Sequence, residues 1–246
     1  MIVALKAEFR KLLTVRSTYV AVGLATEFVI FYAFYVVGWR LTGPELHDPN
    51  QLTNDVIGAL NSLPMLFGSI IAILLMTHEY RYNTIMYTLT SSNSRTKVLL
   101  AKFLAVTGFA ILFTVFIGVL SPVMAYLGVY AHGHTLVPQT IHFGDLFWRG
   151  LYYGWAYISL ALLLAALIRN QLGAIVALFA VPPIEQLLGL VLKDNAGYLP
   201  FMLLNSVISD PVRGSLTHAH AAIIFSCYLV VGWLIAWMLF LKRDAN

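Results

Sequence analysis

Charged residues are scarce in this sequence, and the shortage is informative. Only 11% of the 246 residues are Asp, Glu, Lys or Arg, whereas 60% are hydrophobic. An ordinary soluble domain has about a quarter charged residues and about half apolar ones, and a soluble domain of this size could not bury so much apolar surface. The composition therefore excludes a soluble enzyme, a disordered protein and a disulfide scaffold, and it indicates an integral membrane protein.

Motifs of enzyme chemistry are also missing. Cys227 is the only cysteine, so one chain can form neither a disulfide nor a thiolate metal site. The sequence has no G-x-x-x-x-G-K-[ST] phosphate loop, and His78-Glu79 lacks the second histidine of an H-E-x-x-H zinc motif. These absences argue against an intramembrane hydrolase. The net charge of +4 is too small to indicate a nucleic-acid partner.

Long apolar runs make up most of the chain. Each is long enough to cross a bilayer as a helix, and they predict an all-α membrane protein with six spans in a single transmembrane domain, residues 1–246. The runs are residues 17–39, 56–77, 103–130, 147–168, 171–191 and 221–241.

Lysine and arginine orient these spans. With the N-terminus inside, eleven of the 15 fall in cytoplasmic segments and four, Arg40, Arg149, Lys193 and Arg213, fall outside. This asymmetry follows the positive-inside rule, so we expect both termini in the cytoplasm.

Residues 1–16 have an amphipathic helical pattern. Apolar side chains recur at helical spacing, at Ile2, Leu5, Phe9 and Leu12. The charged side chains are expected to face elsewhere; they are Lys6, Glu8, Arg10 and Lys11. The pattern predicts an interfacial "elbow" helix. The alternative is a cytosolic extension of the first span.

The fifth run contains Pro182 and Pro183, which we expect to interrupt its helix. After it, residues 199–208 form an apolar stretch too short to span a bilayer. We therefore expect a short external helix within residues 192–220.

The cytoplasmic segment 78–102 is richer in charge than a simple connector needs to be. The charged residues Glu79 and Arg81, with Thr84, end the second span, and Ser94, Arg95 and Lys102 lead into the third. The segment predicts a small structured surface suited to docking another protein.

These six residues and the overall plan resemble the ABC-2 family of ABC transporter permeases. The resemblance implies a permease subunit, not itself an enzyme, that pairs as a homo- or heterodimer and binds two cytosolic ATPase subunits. The segment 78–102 would be the coupling loop, and ATP and Mg²⁺ would bind the ATPase, with no cofactor on this chain. Most such permeases export drugs, antibiotic peptides, lipids or glycans. We expect the plasma membrane of a bacterium or archaeon.

Two acidic residues, Glu27 and Glu185, fall inside predicted spans. Intramembrane acids usually face a cavity or a partner, so Glu27 is a candidate for the translocation pathway, and Pro182, Pro183 and Glu185 for an external gate. Structural hydrogen bonds to a neighbouring helix are the alternative. Histidine pairs at His132/His134 and His218/His220 have no third ligand at a fixed spacing, so we predict no metal site.

A secondary transporter or channel is the main alternative function. It would have coupling-ion acids or an inverted repeat. The proline-interrupted fifth run agrees with this only in part, because the second run offers Pro64 and no matching acid.

Overall fold

The computed structural model describes residues 2–39, 55–58, 63–82, 84–87, 94–134, 143–209 and 216–242. In this part of the chain every regular element is helical. The elements are α1 (Ile2–Thr14), α2 (Arg16–Phe31) with its π-helical continuation (Tyr32–Trp39), α3 (Leu63–Arg81), α4 (Arg95–Ala131), α5 (Phe143–Ile168), α6 (Gln171–Leu192), a 3₁₀ segment (Lys193–Tyr198), α7 (Pro200–Ile208) and α8 (His218–Lys242). Residues 55–58 and 85–87 are also helical. The all-α prediction is therefore confirmed.

Among the described residues, five helices are long and apolar enough to cross a membrane, judged by length and composition: Arg16–Trp39, Arg95–Ala131, Phe147–Ile168, Gln171–Leu192 and His218–Lys242. The remaining predicted span, residues 56–77, overlaps α3, which is not one of the five. The last turn of α3 contains Glu79 and Arg81, so the apolar part of this helix is shorter than the helix itself. A sixth span stays a prediction.

Helix α5 is the centre of the bundle. It packs against α3, α4, α6, α7 and α8, and a larger share of it is buried than of the other four candidate spans. Small residues on α5, Ala156, Ala161 and Ala165, are fully buried, which lets neighbouring helices approach closely.

The π-helical continuation of α2 crosses α4 with backbone against backbone. A Cβ on Gly128 would lie 2.2 Å from the Phe34 carbonyl oxygen, and one on Gly38 would lie 2.6 Å from that of Ala125. Only glycine leaves room for such a crossing.

Helix α1 docks on the bundle with a face that includes a charged residue. Phe9 packs against Gly108 of α4, where a Cβ would lie 2.8 Å from its ring, and both Glu8 and Leu12 are buried. The prediction that Glu8 faces away from the apolar residues is wrong, because the bundle supplies a buried cation, Lys102, that pairs with it. The position of α1 in the membrane interface stays a prediction.

The expected interruption at Pro182 and Pro183 is also wrong, because α6 runs unbroken from Gln171 to Leu192 with both prolines inside it. Proline fixes φ near −65°, which is a helical value. The backbone can therefore continue as a helix, and two hydrogen-bond donors are lost. In the described part of the segment 192–220, the 3₁₀ segment is followed by the short helix α7; residues 210–215 lie outside the described residues.

Candidate functional site

Two clusters of polar contacts lie at opposite ends of the bundle. We call the end that contains Arg81 and Arg95 the inner end, since it is predicted to be cytoplasmic, and the opposite end the outer end. At the inner end, Arg81 donates to the side chain of Gln171 over 3.4 Å. Arg95 donates to the carbonyl of Leu241 over 3.2 Å. These bonds join the end of α3 to the start of α6, and the start of α4 to the end of α8.

Four side chains form a closed ring of charges at the inner end, which we call the inner charge cluster: Glu8, Lys11, Glu79 and Lys102. The Glu8 carboxylate accepts from Lys11 at 2.7 Å and from Lys102 at 3.1 Å. The Glu79 carboxylate also pairs with both lysines, and its distance to the ammonium nitrogen of Lys102 is 3.1 Å. Two negative and two positive charges alternate, so the cluster has no net charge.

Lys102 lies in the interior of this cluster, and its side chain is 0% exposed. Its ammonium group contacts Glu8, Glu79 and the carbonyl oxygen of Leu75, the last at 3.2 Å. A lysine has three N–H donors; the ammonium of Lys102 donates hydrogen bonds to Glu8 and to Leu75 and forms an ion pair with Glu79. The arrangement meets the requirement that a buried charge be both paired and hydrogen-bonded.

Lys11 is the accessible member of the cluster, with a side chain that is 38% exposed. Burial acts to lower the pKa of Lys11, but the hydrogen bonds and charges of Glu79 and Glu8 outweigh it. The pKa of Lys11 therefore lies above its ordinary value of 10.5, and this lysine keeps its charge.

The structure places the six residues predicted for ATPase coupling in different environments. Glu79 and Lys102 are buried in the inner charge cluster, whereas Arg81 and Thr84 are exposed. Ser94 caps the start of α4 by accepting from the Lys97 amide at 3.5 Å. Arg95 binds the end of α8. Glu79 and Lys102 therefore contact other parts of this chain, whereas Arg81 and Thr84 are accessible to another protein.

Residues 81–87 offer an exposed surface next to the buried cluster; residue 83 lies outside the described part. Tyr82, Met86 and Tyr87 are 62%, 54% and 78% exposed, while Ile85 between them is only 1% exposed. Ile85 therefore anchors a short segment whose aromatic and thioether side chains point outward. Residues 88–93, which follow this segment, lie outside the described residues.

Sequence analysis missed Glu8 and Lys11 as site residues. A signal was present, because Glu8 lies three residues after Leu5 and four before Leu12, on the apolar stripe of α1. An acid on an apolar stripe needs a partner. The sequence could not identify that partner, since Glu8 and Lys102 are 94 positions apart.

At the outer end, Glu185 and Arg149 hold the two ends of α7. Glu185 is 4% exposed, and its carboxylate accepts from the amides of Phe201 at 2.8 Å and Met202 at 3.1 Å. The residue before these, Pro200, has no amide hydrogen to satisfy. Glu185 of α6 therefore caps the N-terminus of a different helix, in place of the side-chain cap that α7 lacks in its own sequence.

Arg149 binds the opposite end of α7. Its guanidinium is buried and donates to the carbonyl of Val207 at 2.9 Å and to that of Ile208. A ring nitrogen of His218 also contacts the carbonyl of Ser206 at 2.9 Å. A negative charge at a helix N-terminus and a positive charge at its C-terminus each interact favourably with the helix dipole. Sequence analysis used Arg149 only as an external charge and missed this contact.

The other predicted pathway residues lie on exposed surface or near it. Glu27 is exposed on α2, on the side away from the buried residues Ala25 and Val29. On α6, Pro182 is half-buried and Pro183 is exposed. Of the four candidates for a pathway or gate, the structure thus buries only Glu185.

Among the residues that the structure describes, no group of three or more His, Cys, Asp or Glu side chains could hold a metal ion. The rings of His132 and His134 lie 5.4 Å apart, and His142 lies outside the described residues.

Comparison with known proteins gives a family for this chain. A family model described as ABC-2 family transporter protein matches residues 4–181, which is most of the chain and includes the inner charge cluster. A comparison with curated proteins found no match. The chain belongs to the ABC-2 transporter family and is a multi-pass membrane transport protein.

Proposed function

We propose that this ABC-2 family chain is the transmembrane permease subunit of an ATP-driven exporter. It would form its translocation pathway as a homo- or heterodimer, in the plasma membrane with both termini cytoplasmic, and would be driven by separate cytosolic ATPase subunits. Family membership supports the permease role. ATP and Mg²⁺ are assigned to the partner, because this sequence contains no phosphate-binding loop.

The observation that carries the ATPase-coupling part is the exposed segment 81–87. Arg81, Tyr82 and Tyr87 are residue types that dominate the binding energy of protein interfaces. They are exposed beside a rigid anchor, because Ile85 is buried and the Thr84 amide donates to the carbonyl of Glu79 at 2.9 Å. We assign this segment as the surface that the ATPase binds.

The inner charge cluster gives this surface a mechanical connection to the bundle. It joins α1, α3 and α4 through three buried or partly buried contacts between helices, and a fourth contact, Lys11–Glu8, lies within α1. A push on residues 81–87 would therefore move α1, the end of α3 and the start of α4 together. Such rigid-body rearrangement is a usual means of switching between two states, here inward-facing and outward-facing.

Glu27 supports a pathway on the exposed side of α2. A carboxylate at mid-span is costly in lipid, so the exposure of Glu27 in one copy favours a second permease or a water-filled cavity against it. Glu185, with Pro182 and Pro183, would belong to an external gate through its contact with α7. The family resemblance supports a drug, an antibiotic peptide or a lipid-like molecule as cargo, and among these the apolar, aromatic-rich spans favour an amphipathic or lipid-like one.

The test is co-purification of the full-length chain in mild detergent with its ATPase, which is identified by mass spectrometry and by nucleotide hydrolysis. Tyr87→Ala and Arg81→Ala are expected to reduce ATPase capture about thirtyfold each if they are interface hot spots, which cost about 2 kcal/mol. Tyr130→Ala is the matched control, because Tyr130 is 67% exposed near the outer end of α4.

Equal capture by all three variants would place the ATPase elsewhere on the chain. Absence of any ATPase from the purified protein would reject the exporter proposal and favour a secondary transporter or channel.

A further inference from the structure

The turn between α5 and α6 holds an arginine between two aromatic rings at the inner end. The guanidinium carbon of Arg169 lies 5.3 Å from the ring centroid of Tyr80, in the last turn of α3. It lies 5.6 Å from the ring centroid of Phe240, in the last turn of α8. Both distances are those of cation–π contacts. We call these three residues the Arg169 clamp, and it joins the end of α3, the α5–α6 turn and the end of α8.

The backbone of Arg169 adopts a conformation that favours glycine. Its φ is 56°, and its amide donates to the carbonyl of Ala165 at 2.9 Å, where α5 ends. Glycine is the usual residue at a helix end of this geometry, because a side chain in the left-handed region costs free energy. An arginine at this position therefore indicates a role for its side chain.

The clamp is also more enclosed than a charge that only orients the spans needs to be. Phe240 is 4% exposed, and Arg169 and Tyr80 are half-buried. Cation–π contacts are strengthened when the cation is removed from water. A basic residue that served only the positive-inside rule could remain fully exposed. The geometry thus favours a specific contact between helices.

Three consecutive residues of α3 contact different parts of the bundle. Glu79 belongs to the inner charge cluster, which reaches α1 and α4. Tyr80 contacts Arg169, and Arg81 donates to Gln171 at the start of α6 over 3.4 Å. The inner charge cluster has no member on α5, α6 or α8. The clamp therefore extends the connection from the end of α3 to that half of the bundle.

We propose that Arg169 is a positioning residue, which passes movement of the segment 81–87 on to the α5–α6 turn and the end of α8. The inference rests on the ATPase-coupling function proposed above. The end of α8 is also bonded to the start of α4, because Arg95 donates to the carbonyl of Leu241 at 3.2 Å. Loss of Arg169 should therefore affect the α5–α6 turn most, the end of α8 less, and α1 not at all.

The test uses the full-length chain in phosphatidylcholine nanodiscs with the ATPase that co-purifies with it. Amide hydrogen exchange is measured by mass spectrometry without nucleotide and with ADP and vanadate, which mimic the transition state of hydrolysis. In the wild type, we expect nucleotide to change exchange in α1, in the α5–α6 turn and at the end of α8. Arg169→Gly should reduce the change in the turn about fivefold or more, because each of two cation–π contacts contributes a factor of about two to five. The change in α1 should remain.

Glycine at position 169 separates positioning from stability, because it suits the left-handed backbone there. The easier backbone offsets the lost contacts, so Arg169→Gly should unfold close to the wild-type temperature and capture the ATPase equally well. Arg169→Lys keeps a cation between the rings and should restore part of the nucleotide response. Phe240→Leu keeps apolar packing but removes one ring, and should reduce the response at the end of α8. Arg10→Ala, which removes an exposed arginine of α1, is the matched control and should change nothing.

Three outcomes would overturn the inference. If the ATPase is captured but nucleotide does not change exchange in the wild-type turn, or changes it equally in Arg169→Gly, the exporter function stands and the role of Arg169 is rejected. Loss of the response in α1 together with that in the turn would show that Arg169 only stabilises the bundle. If no ATPase co-purifies with the wild type, the exporter function itself is rejected, and the inference with it.

Discussion

The two ends of the bundle both bury ionised side chains, but they neutralise them differently. At the inner end, side chains pair with side chains, and Glu8, Glu79, Lys11 and Lys102 alternate in a ring without net charge. At the outer end, Glu185 and Arg149 bind the backbone termini of α7. Loss of one member leaves an unbalanced charge at the inner end, whereas at the outer end it leaves only unpaired backbone groups. Loss of Lys102, the fully buried member of the inner end, should therefore cost more than loss of either charged residue at the outer end.

Lys102→Met is expected to have the largest effect on stability. It leaves two carboxylates against Lys11 alone, and breaking a buried ion pair from one side costs about 3–5 kcal/mol. The free energy of unfolding, measured by reversible denaturation in mixed micelles, should fall by that amount. Lys97→Met, at an exposed position of α4, is the control. The double variant Glu8→Gln/Lys102→Met restores the charge balance and should recover part of the loss; equal losses in Lys102→Met and Lys97→Met would contradict the comparison.

Arg149→Met should have the next largest effect, but on the outer end only. It leaves the carbonyls of Val207 and Ile208 without their charged donor, and such hydrogen bonds contribute about 1.5–3 kcal/mol. Amide hydrogen exchange should accelerate in α7 and remain unchanged in α1. Arg149→Lys keeps the charge but not the planar fork, so intermediate protection is expected. Faster exchange in α1 as well would show that the two ends are coupled.

Glu185→Ala is expected to weaken α7 at its other end by about 1 kcal/mol, the usual effect of losing an N-terminal cap. Exchange of the Phe201 and Met202 amides should be accelerated most, since these amides donate to Glu185. Glu185→Gln retains one acceptor oxygen and should lose less. If amide exchange is accelerated equally in the Glu185→Ala and Glu185→Gln variants, the charge of Glu185 and not its geometry holds α7.

Lys11→Gln should have the smallest effect, because Lys11 is partly exposed and its interactions are screened. Its pKa is raised in the folded state, so its contribution to stability is complete below about pH 10.5 and is lost as pH rises through the folded-state pKa. The difference in unfolding free energy between the wild type and Lys11→Gln should therefore be constant below that pH and shrink above it. A difference that grows with pH would contradict this assignment.

Sequence patterns predicted the helices better than their ends. The runs at residues 147–168 and 171–191 agree closely with α5 and α6, but α4 begins at Arg95, well before the apolar run at residue 103. Hydropathy detects the part of a helix that suits lipid, whereas a helix ends where its terminal amides or carbonyls find caps. The Ser94 cap was visible in the sequence, but Ser94 was interpreted only as one of the residues that lead into the third span.

The candidate sites were predicted residue by residue but not as groups. Glu79 and Lys102 stood out as charged residues next to apolar runs, and Glu185 stood out as an acid inside one. Glu8 and Lys11, which pair with Glu79 and Lys102, and Arg149, which binds the other end of α7, were treated as solvent-facing or topological charges. Local sequence does not identify the partner of a charge, even where, as for Glu8, the apolar stripe indicates that one is needed.

The sequence by itself determined that this is a helical membrane protein of the ABC-2 family, and approximately where each helix lies. These properties follow from composition, from apolar length and from a motif along the chain, all of which are local. Only the tertiary structure decided which charges meet, since Lys11 and Glu79 are 68 positions apart and Lys102 and Glu8 are 94 apart. Burial is the physical reason, because a charge removed from water must find its counter-charge among whichever side chains the packing brings near.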